Sequence, residues 1–391
     1  MMPHTLADQV THYRDDITTW RRHLHRHPEL SFKESRTADY IEEVLRSFGN
    51  LELSRPTPTS VMARLIGDLP GKTLALRADT DALPIQEEND FEFASCEPGV
   101  MHACGHDGHT AMLLGAARIL SQHRERLQGE IRFFFQHAEE YFPGGAKEMV
   151  EAGAMEGVDW VMGAHLMSDV ETGKIGVRNG PMMAAPDGFF ITIQGKGGHG
   201  AMPHQARDSI AIGAEVVSNL HQLVARHTNP LEPLVVTVGK FVAGEAPNVI
   251  ADKAELAGTV RSFDPEVRAQ VPILMERIVK GITEAHGANY RFEYLSGYHP
   301  VINDEAPTQL VREAAIEAFG EAAVIDTPPK MGAEDFSAFL QEAPGSYFFI
   351  GSGNAQKGSD FPHHHPRFTI DEDALLIGTR LFCEVALRYC A

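Results

Sequence analysis

The chain has 391 residues, 43% hydrophobic and 23% charged, the proportions of a folded globular protein with room for two domains. Acidic residues outnumber basic ones 54 to 34, a net charge of −20, which argues against the basic face that nucleic acids and anionic membranes require. Four cysteines make no disulfide framework in a chain of this length, and no apolar run approaches the roughly 20 residues of a membrane-spanning helix. The opening MMPHTLADQVTHYRDD lacks the charged start and apolar core of a secretion signal, so the expected compartment is the cytoplasm.

In chain order, Leu6–Leu24 is expected to be a helix, with Val10, Tyr13, Ile17, Trp20 and Leu24 at three- and four-residue steps. Ser35–Phe48 is expected to be another, closed by Gly49. Val61–Ile66 and Lys72–Ala78 are expected strands, the second running into Asp79 and Asp81. Those two carboxylates suit either turn chemistry or the orientation of a ligand histidine or a catalytic glutamate. Next comes MHACGHDGH (Met101–His109), with one thiol and three imidazoles. Cys104 and His106 stand two apart, a spacing that suits two ligands converging on a metal from one loop or strand. Both are zinc-type donors that also accept manganese, cobalt or nickel.

Thr110–Leu120 is an expected helix, and Glu130–Gln136 is a strongly apolar strand leading to Glu139-Glu140. Adjacent carboxylates ordinarily point into water, but beside metal donors they can divide the work. One then binds metal, and the other takes a proton from a nearby water. Gly145–Glu151 opens a further helix, and Trp160–Ala164 is a short buried strand expected to end at His165. Strands alternating with helices predict an α/β layer structure with a mixed, largely parallel sheet, and its candidate ligands fall where strands end.

A second unit begins near Asp187. Strand Phe189–Gln194, helix Ala206–Arg226, strands Leu234–Phe241 and Ala254–Phe263, a helix opened by Asp264-Pro265 and strand Tyr290–Leu295 give the order β-α-β-β-α-β of a ferredoxin-like α+β unit. It interrupts the metal donors, so residues 187–297 are expected to be inserted in a discontinuous catalytic domain of residues 1–186 and 298–391. Gly195–Gly200 fits G-x-G-x-x-G, but Pro203 interrupts the required entry into a helix, so dinucleotide binding is rejected. His199, among those glycines, suits contact with a substrate oxyanion, and Arg261 at a strand end suits a carboxylate. His363-His364-His365, before Pro366, add three more donors, enough with the earlier ones for two metal ions. No G-x-S-x-G, G-x-x-x-x-G-K-[ST] or H-E-x-x-H is present.

RADTDALP (Arg77–Pro84), MHACGHDGHTAMLLGAA (Met101–Ala117), QHAEE…PGGA (Gln136–Ala146), GAHL (Gly163–Leu166), GKGGHGAMPH (Gly195–His204), NVIAD (Asn248–Asp252), GTVRSF (Gly258–Phe263), MGAEDFS (Met331–Ser337) and HHPRF (His364–Phe368) stand in this order over nearly the whole chain. The sequence resembles the dinuclear metal amidohydrolase/peptidase family of hippurate hydrolases, aminoacylases, carboxypeptidases and auxin-conjugate hydrolases. The resemblance implies a zinc-peptidase-like catalytic domain with an inserted lid and dimerisation domain. It implies two divalent metal ions per subunit (zinc, manganese, cobalt or nickel) on Cys104, His106, Glu140, His165 and His364, with Glu139 as general base and then acid. By the same resemblance His199, Asn248 and Arg261 hold the oxyanion and the substrate carboxylate, and the protein is a homodimer or higher homo-oligomer. Two positions depart from the family pattern, His137 and Ala251, where proline is usual. The implied activity is hydrolysis of the amide in an N-acyl amino acid. The alternatives are a carboxypeptidase or dipeptidase and, from another class, a catalytically silent metal- or peptide-binding dimer.

Overall fold

A computed structural model describes residues 5–390. The described chain forms two compact units: one runs through Met182 and takes in Ile302–Pro328 and the chain from Asp335, and the other joins Met183–Val301 to Pro329–Glu334.

In the first unit an eight-stranded sheet has the order Glu52–Ser54, Val61–Ile66, Gln128–Gln136, Leu69–Asp79, Trp160–Glu171, Gly345–Gly353, Ile175–Val177, Val324–Asp326. The four strands from Gln128–Gln136 to Gly345–Gly353 run parallel, and antiparallel pairs flank them. Parallel strands are covered on both faces, so they are apolar without alternation. Phe133, Phe134 and Phe135 are accordingly all fully buried, as is every residue of Gly345–Gly353. The His106–Leu120 helix is buried at every position except Arg118 and packs beside the Asp373–Tyr389 helix. Gly108 permits that seat, since a Cβ there would lie 2.5 Å from Leu166 Cδ1.

Three sequence expectations change. The first helix is two, Leu6–His12 and Arg14–Arg26, broken at Tyr13. The apolar spacing runs on across the break and cannot reveal it. The buried helix begins at His106, four residues early, because Gly105 at φ +93 makes the turn into it. Cys104 and His106 therefore sit on a loop and a helix start. The His165 strand continues to Glu171, held by the parallel Gly345–Gly353 strand, so His165 is interior, opposite Phe349.

The second unit is a four-stranded antiparallel sheet in the order Leu234–Ala243, Lys253–Ser262, Ala185–Gln194, Asn289–Leu295. That order and its two helices, Ser209–Gln222 and Pro265–Ala285, make the ferredoxin-like arrangement. Asp264 caps the second helix, accepting the N–H groups of Glu266 and Val267 at 2.9 and 2.8 Å, with Pro265 in its first turn. Phe189, Ile191 and Ile193 pack against Val216, Leu220 and Met275 in a separate core. Among the described residues no helix is long and apolar enough to cross a membrane.

Candidate metal centre

The site lies where the parallel strands of the first unit end. Leu69–Asp79 delivers Asp79 and, two residues on, Asp81. Its neighbour Gln128–Gln136 delivers Glu139 and Glu140, and the strand on its other side carries His165. Within this frame Cys104, His106 and His165 bring one ligand atom each within 4.8 Å of one another, and so do Cys104, Glu140 and His364. The two triads share the Cys104 sulfur. His106, Glu139 and Glu140 form a further group of the same compactness.

The imidazole tautomers follow from their partners. His106 Nδ1 donates to Asp81 Oδ1 at 3.1 Å, which leaves Nε2 on the site side, buried and without a hydrogen-bond partner. His165 Nδ1 donates to the Leu166 carbonyl at 2.8 Å, leaving Nε2 3.5 Å from Cys104 Sγ. A ring anchored through one nitrogen with the other free is the usual state of a metal-ligating histidine. His109 is different. Its Nδ1 donates to Asp79 Oδ1 at 2.6 Å and its Nε2 accepts the Leu166 N–H at 2.9 Å, so no lone pair remains.

The three consecutive histidines also divide. His363 Nε2 donates to the Leu166 carbonyl at 2.9 Å, and His365 stacks on Phe361 at 4.7 Å between centroids. Only His364 turns to the acids, with Nε2 3.2 Å from Glu140 Oε1. Its backbone is left-handed, φ +65, and its N–H is held by the Ala103 carbonyl at 2.8 Å.

Charge in this cluster is unbalanced. Burial opposes protonation of His106, yet Asp79, Asp81 and Glu140 raise the ring to about 10. Burial would keep Asp79 neutral, but His106, Arg77 and His109 hold its carboxyl well below the usual range. Burial first, then Glu140, Glu139 and Asp79, push the Cys104 thiol far up, so it ionises there only beside a cation. A proton on His106 thus stands where the acids call for positive charge. Sulfur, imidazole and carboxylate donors with an unpartnered Nε2 fit divalent transition-metal ions.

The sequence pattern of peptidase family M20/M25/M40 matches residues 75–388. The chain belongs to this family. One relative of this M20 chain, the N-acyl-L-amino acid amidohydrolase of Geobacillus stearothermophilus, is 67% identical over 298 residues, 76% of this chain and 80% of that one. Thermostable carboxypeptidase 2 of Saccharolobus solfataricus is 42% identical over 387 residues, 98% of each chain. Among solved structures, the YXEP protein of Bacillus subtilis, described as a dinuclear metal-binding peptidase of the M20 family, matches with a TM-score of 0.85 at 36% identity. That match covers 97% of this chain and 99% of that one.

The remaining predicted residues of this M20 chain lie in the second unit. His199 pairs with Val249 in a two-stranded ribbon, and the Asn248 carbonyl accepts the Gly200 N–H at 2.9 Å, so His199 and Asn248 are neighbours on an exposed loop pair. His199 Nδ1 accepts the Ala201 N–H at 3.1 Å, which places the proton on Nε2. Arg261 is half-buried in the Lys253–Ser262 strand. It donates to the Val260 carbonyl at 3.0 Å, and no described carboxylate forms an ion pair with it. Ala251 is buried, its carbonyl accepting the Ser209 N–H at 3.2 Å. In the first unit His137, the other position that departs from the family pattern, is buried, with Nε2 3.0 Å from Glu148 Oε2 and Nδ1 3.4 Å from Thr57 Oγ1.

Behind Asp79 and Asp81, which the sequence offers as supports, stand residues that escaped sequence reading. Arg77, fully buried, bridges Asp79 (2.8 Å) and Asp335 (2.9 Å), while Gln136 joins Arg77 to Asp335. The one available signal was an arginine inside an otherwise apolar strand. A second buried group stands behind His106. Asp107 accepts from Arg21 at 2.8 Å and pairs with His25 at 2.9 Å, and His25 reaches Glu87 at 3.1 Å.

Proposed function

We propose that the protein hydrolyses the amide bond of N-acyl amino acids of the N-acetyl or benzoyl type, using two divalent metal ions held by Cys104, His106 and His165 and by Cys104, Glu140 and His364. The observation that carries this reading is the pair of donor triads meeting at one sulfur beside a second, buried glutamate. When bound, such ions polarise the scissile carbonyl and bring an attacking water to a pKa of about 7.

The protein supplies the rest. Glu139 takes the proton of the attacking water and returns it to the departing amine. Asp81 fixes the His106 ring through Nδ1 and the Glu140 backbone through its N–H, so one carboxylate orients both ligands. His199, with its proton on Nε2, donates to the oxyanion, and Arg261 with Asn248 receives the substrate carboxylate. Residues 187–297 serve as lid and dimerisation domain of a homodimer or higher homo-oligomer. Supporting this, the edge strand Leu234–Ala243 of that unit exposes Phe241 and Val242. A reduced, metal-ligating Cys104 suits the cytoplasm.

The amidohydrolase relative at 67% identity supports the acyl substrate, and the carboxypeptidase relative at 42% favours the second reading, cleavage of small peptides. Hydrolysis of hippurate and N-acetyl amino acids, measured beside Gly-Phe-type dipeptides, separates them. Higher kcat/KM on the acyl amino acids is expected. Preference for the dipeptides would move the protein to the peptidase reading, and tight binding without product to a silent one.

A further inference from the structure

The residue just before the glutamate pair holds a conformation its own side chain disfavours. Ala138 is fully buried at φ +50, in the left-handed region that costs a residue bearing a Cβ about 1–2 kcal/mol. Both of its backbone groups are engaged. Its carbonyl accepts the Gly145 N–H at 3.0 Å, and its own N–H donates to Glu34 Oε1 at 2.8 Å. Glu34 comes from the turn ahead of the Ser35–Arg46 helix, is itself fully buried, and forms no ion pair with any described cation. Its Oε2 has no hydrogen-bond partner.

The same turn reaches the site twice more. Ser31 Oγ donates at 2.7 Å to Asp81 Oδ2, the oxygen that also accepts the Glu140 N–H at 3.0 Å. The Phe32 ring stands edge-on to His137 at 5.4 Å and to Tyr141 at 6.4 Å, on either side of the glutamate pair. A buried carboxyl with an unpaired oxygen is unfavourable by about 1–3 kcal/mol, and an apolar side chain would avoid that loss.

We infer that Glu34 is a positioning residue for Glu139, its carboxyl oxygen clamping Ala138 in the left-handed conformation that sets the direction of the next side chain. The inference rests on reading Glu139 as the general base. Burial and then the Asp81 charge raise the Glu34 carboxyl to about 7 against the pull of the backbone N–H groups of Glu34, Ala138 and Phe32. Facing no described cation, Glu34 acts through the oxygen that accepts the Ala138 N–H.

Two substitutions separate place from charge. Glu34→Gln keeps the acceptor in reach and removes the charge, whereas Glu34→Asp keeps the charge and withdraws the acceptor by one methylene. Glu34→Gln is expected to hold kcat within about threefold of the unaltered protein, while Glu34→Asp loses kcat by about tenfold or more at similar KM and unchanged metal content. Amide hydrogen exchange gives a second readout that needs no activity: the Ala138 amide exchanges about tenfold faster in Glu34→Asp and unchanged in Glu34→Gln. If Glu34→Asp does not fold, the Gln variant decides alone through the same two readouts. Wild-type kcat and exchange in Glu34→Asp, or a tenfold loss of kcat or gain in exchange in Glu34→Gln, would overturn the inference. Failure of the unaltered protein to cleave any N-acyl amino acid rejects the functional reading instead and leaves the exchange comparison standing.

Discussion

Cys104 is the one side chain common to both donor triads, whereas His165 belongs to the first alone. Removing the sulfur should therefore empty the whole centre. Cys104→Ala is expected to retain less than about half a metal equivalent after dialysis, and His165→Ala about one of two, by elemental analysis. Two equivalents in Cys104→Ala would show that the sulfur bridges nothing. Glu139 has the opposite signature, because it is assigned a proton rather than an ion. Glu139→Gln should bind metal normally and lose kcat by about 10²–10⁴-fold, and retained turnover would take the base role from it. At this scale the sequence was legible where chemistry concentrates donors: Cys104, His106 and the Glu139-Glu140 pair stand out by type and spacing, whereas His363-His364-His365 stand out only as a run, within which the family resemblance selects His364. Beyond Asp79 and Asp81, their supports did not stand out. Asp335 meets Arg77 across 258 positions and Glu34 meets Ala138 across 104, separations over which no local pattern carries information.

The helix that starts at His106 is anchored at that end by a buried ionic group joining it to the Arg14–Arg26 helix. Arg21, fully buried, donates to Asp107 at 2.8 Å and to Glu372 at 3.2 Å. Removing one member leaves a buried charge uncompensated. Arg21→Leu is expected to cost about 3–5 kcal/mol, seen as a large fall in the urea midpoint. By contrast, Arg291→Ala, which breaks an exposed pair with Glu293, should cost less than about 1 kcal/mol. Equal midpoints in the two variants would contradict the anchoring role. Acid should act on the same group. Burial favours the neutral form of Glu372, but Arg22 and Arg21 outweigh it and hold the carboxyl below its usual range. A carboxyl lowered on folding stabilises the fold above its unfolded pKa of about 4.3, and that contribution is lost as pH falls through the folded value. Glu372→Gln should therefore flatten the fall of Tm with pH below about 5; an unchanged slope would remove Glu372 from that limb. The longer elements were legible from periodicity; the three-residue strands Glu52–Ser54, Ile175–Val177 and Val324–Asp326, and the ends of most elements, were not. The His106 helix start depends on the positive φ of Gly105, and the length of the His165 strand depends on pairing with Gly345–Gly353, nearly 200 residues away.

Across the whole molecule, the division into an α/β unit and a ferredoxin-like unit follows from a change of pattern. Apolar runs mark strands covered on both faces, and strands with one open face alternate, as the exposed and half-buried residues along Asn289–Leu295 do. The order of the eight-stranded sheet was not legible, because crossover connections leave no periodic trace. The central claim is that the converging donors hold metal ions on which N-acyl-amino-acid hydrolysis depends. It is tested most directly by stripping the protein with a chelator, confirming by elemental analysis that it is metal-free, and reloading it with manganese, cobalt, nickel or zinc. Turnover of an N-acetyl or N-benzoyl amino acid should vanish on stripping and return as about two equivalents bind. Undiminished turnover in the verified metal-free protein, or two bound equivalents of every metal with no turnover of any acyl substrate, would contradict the account.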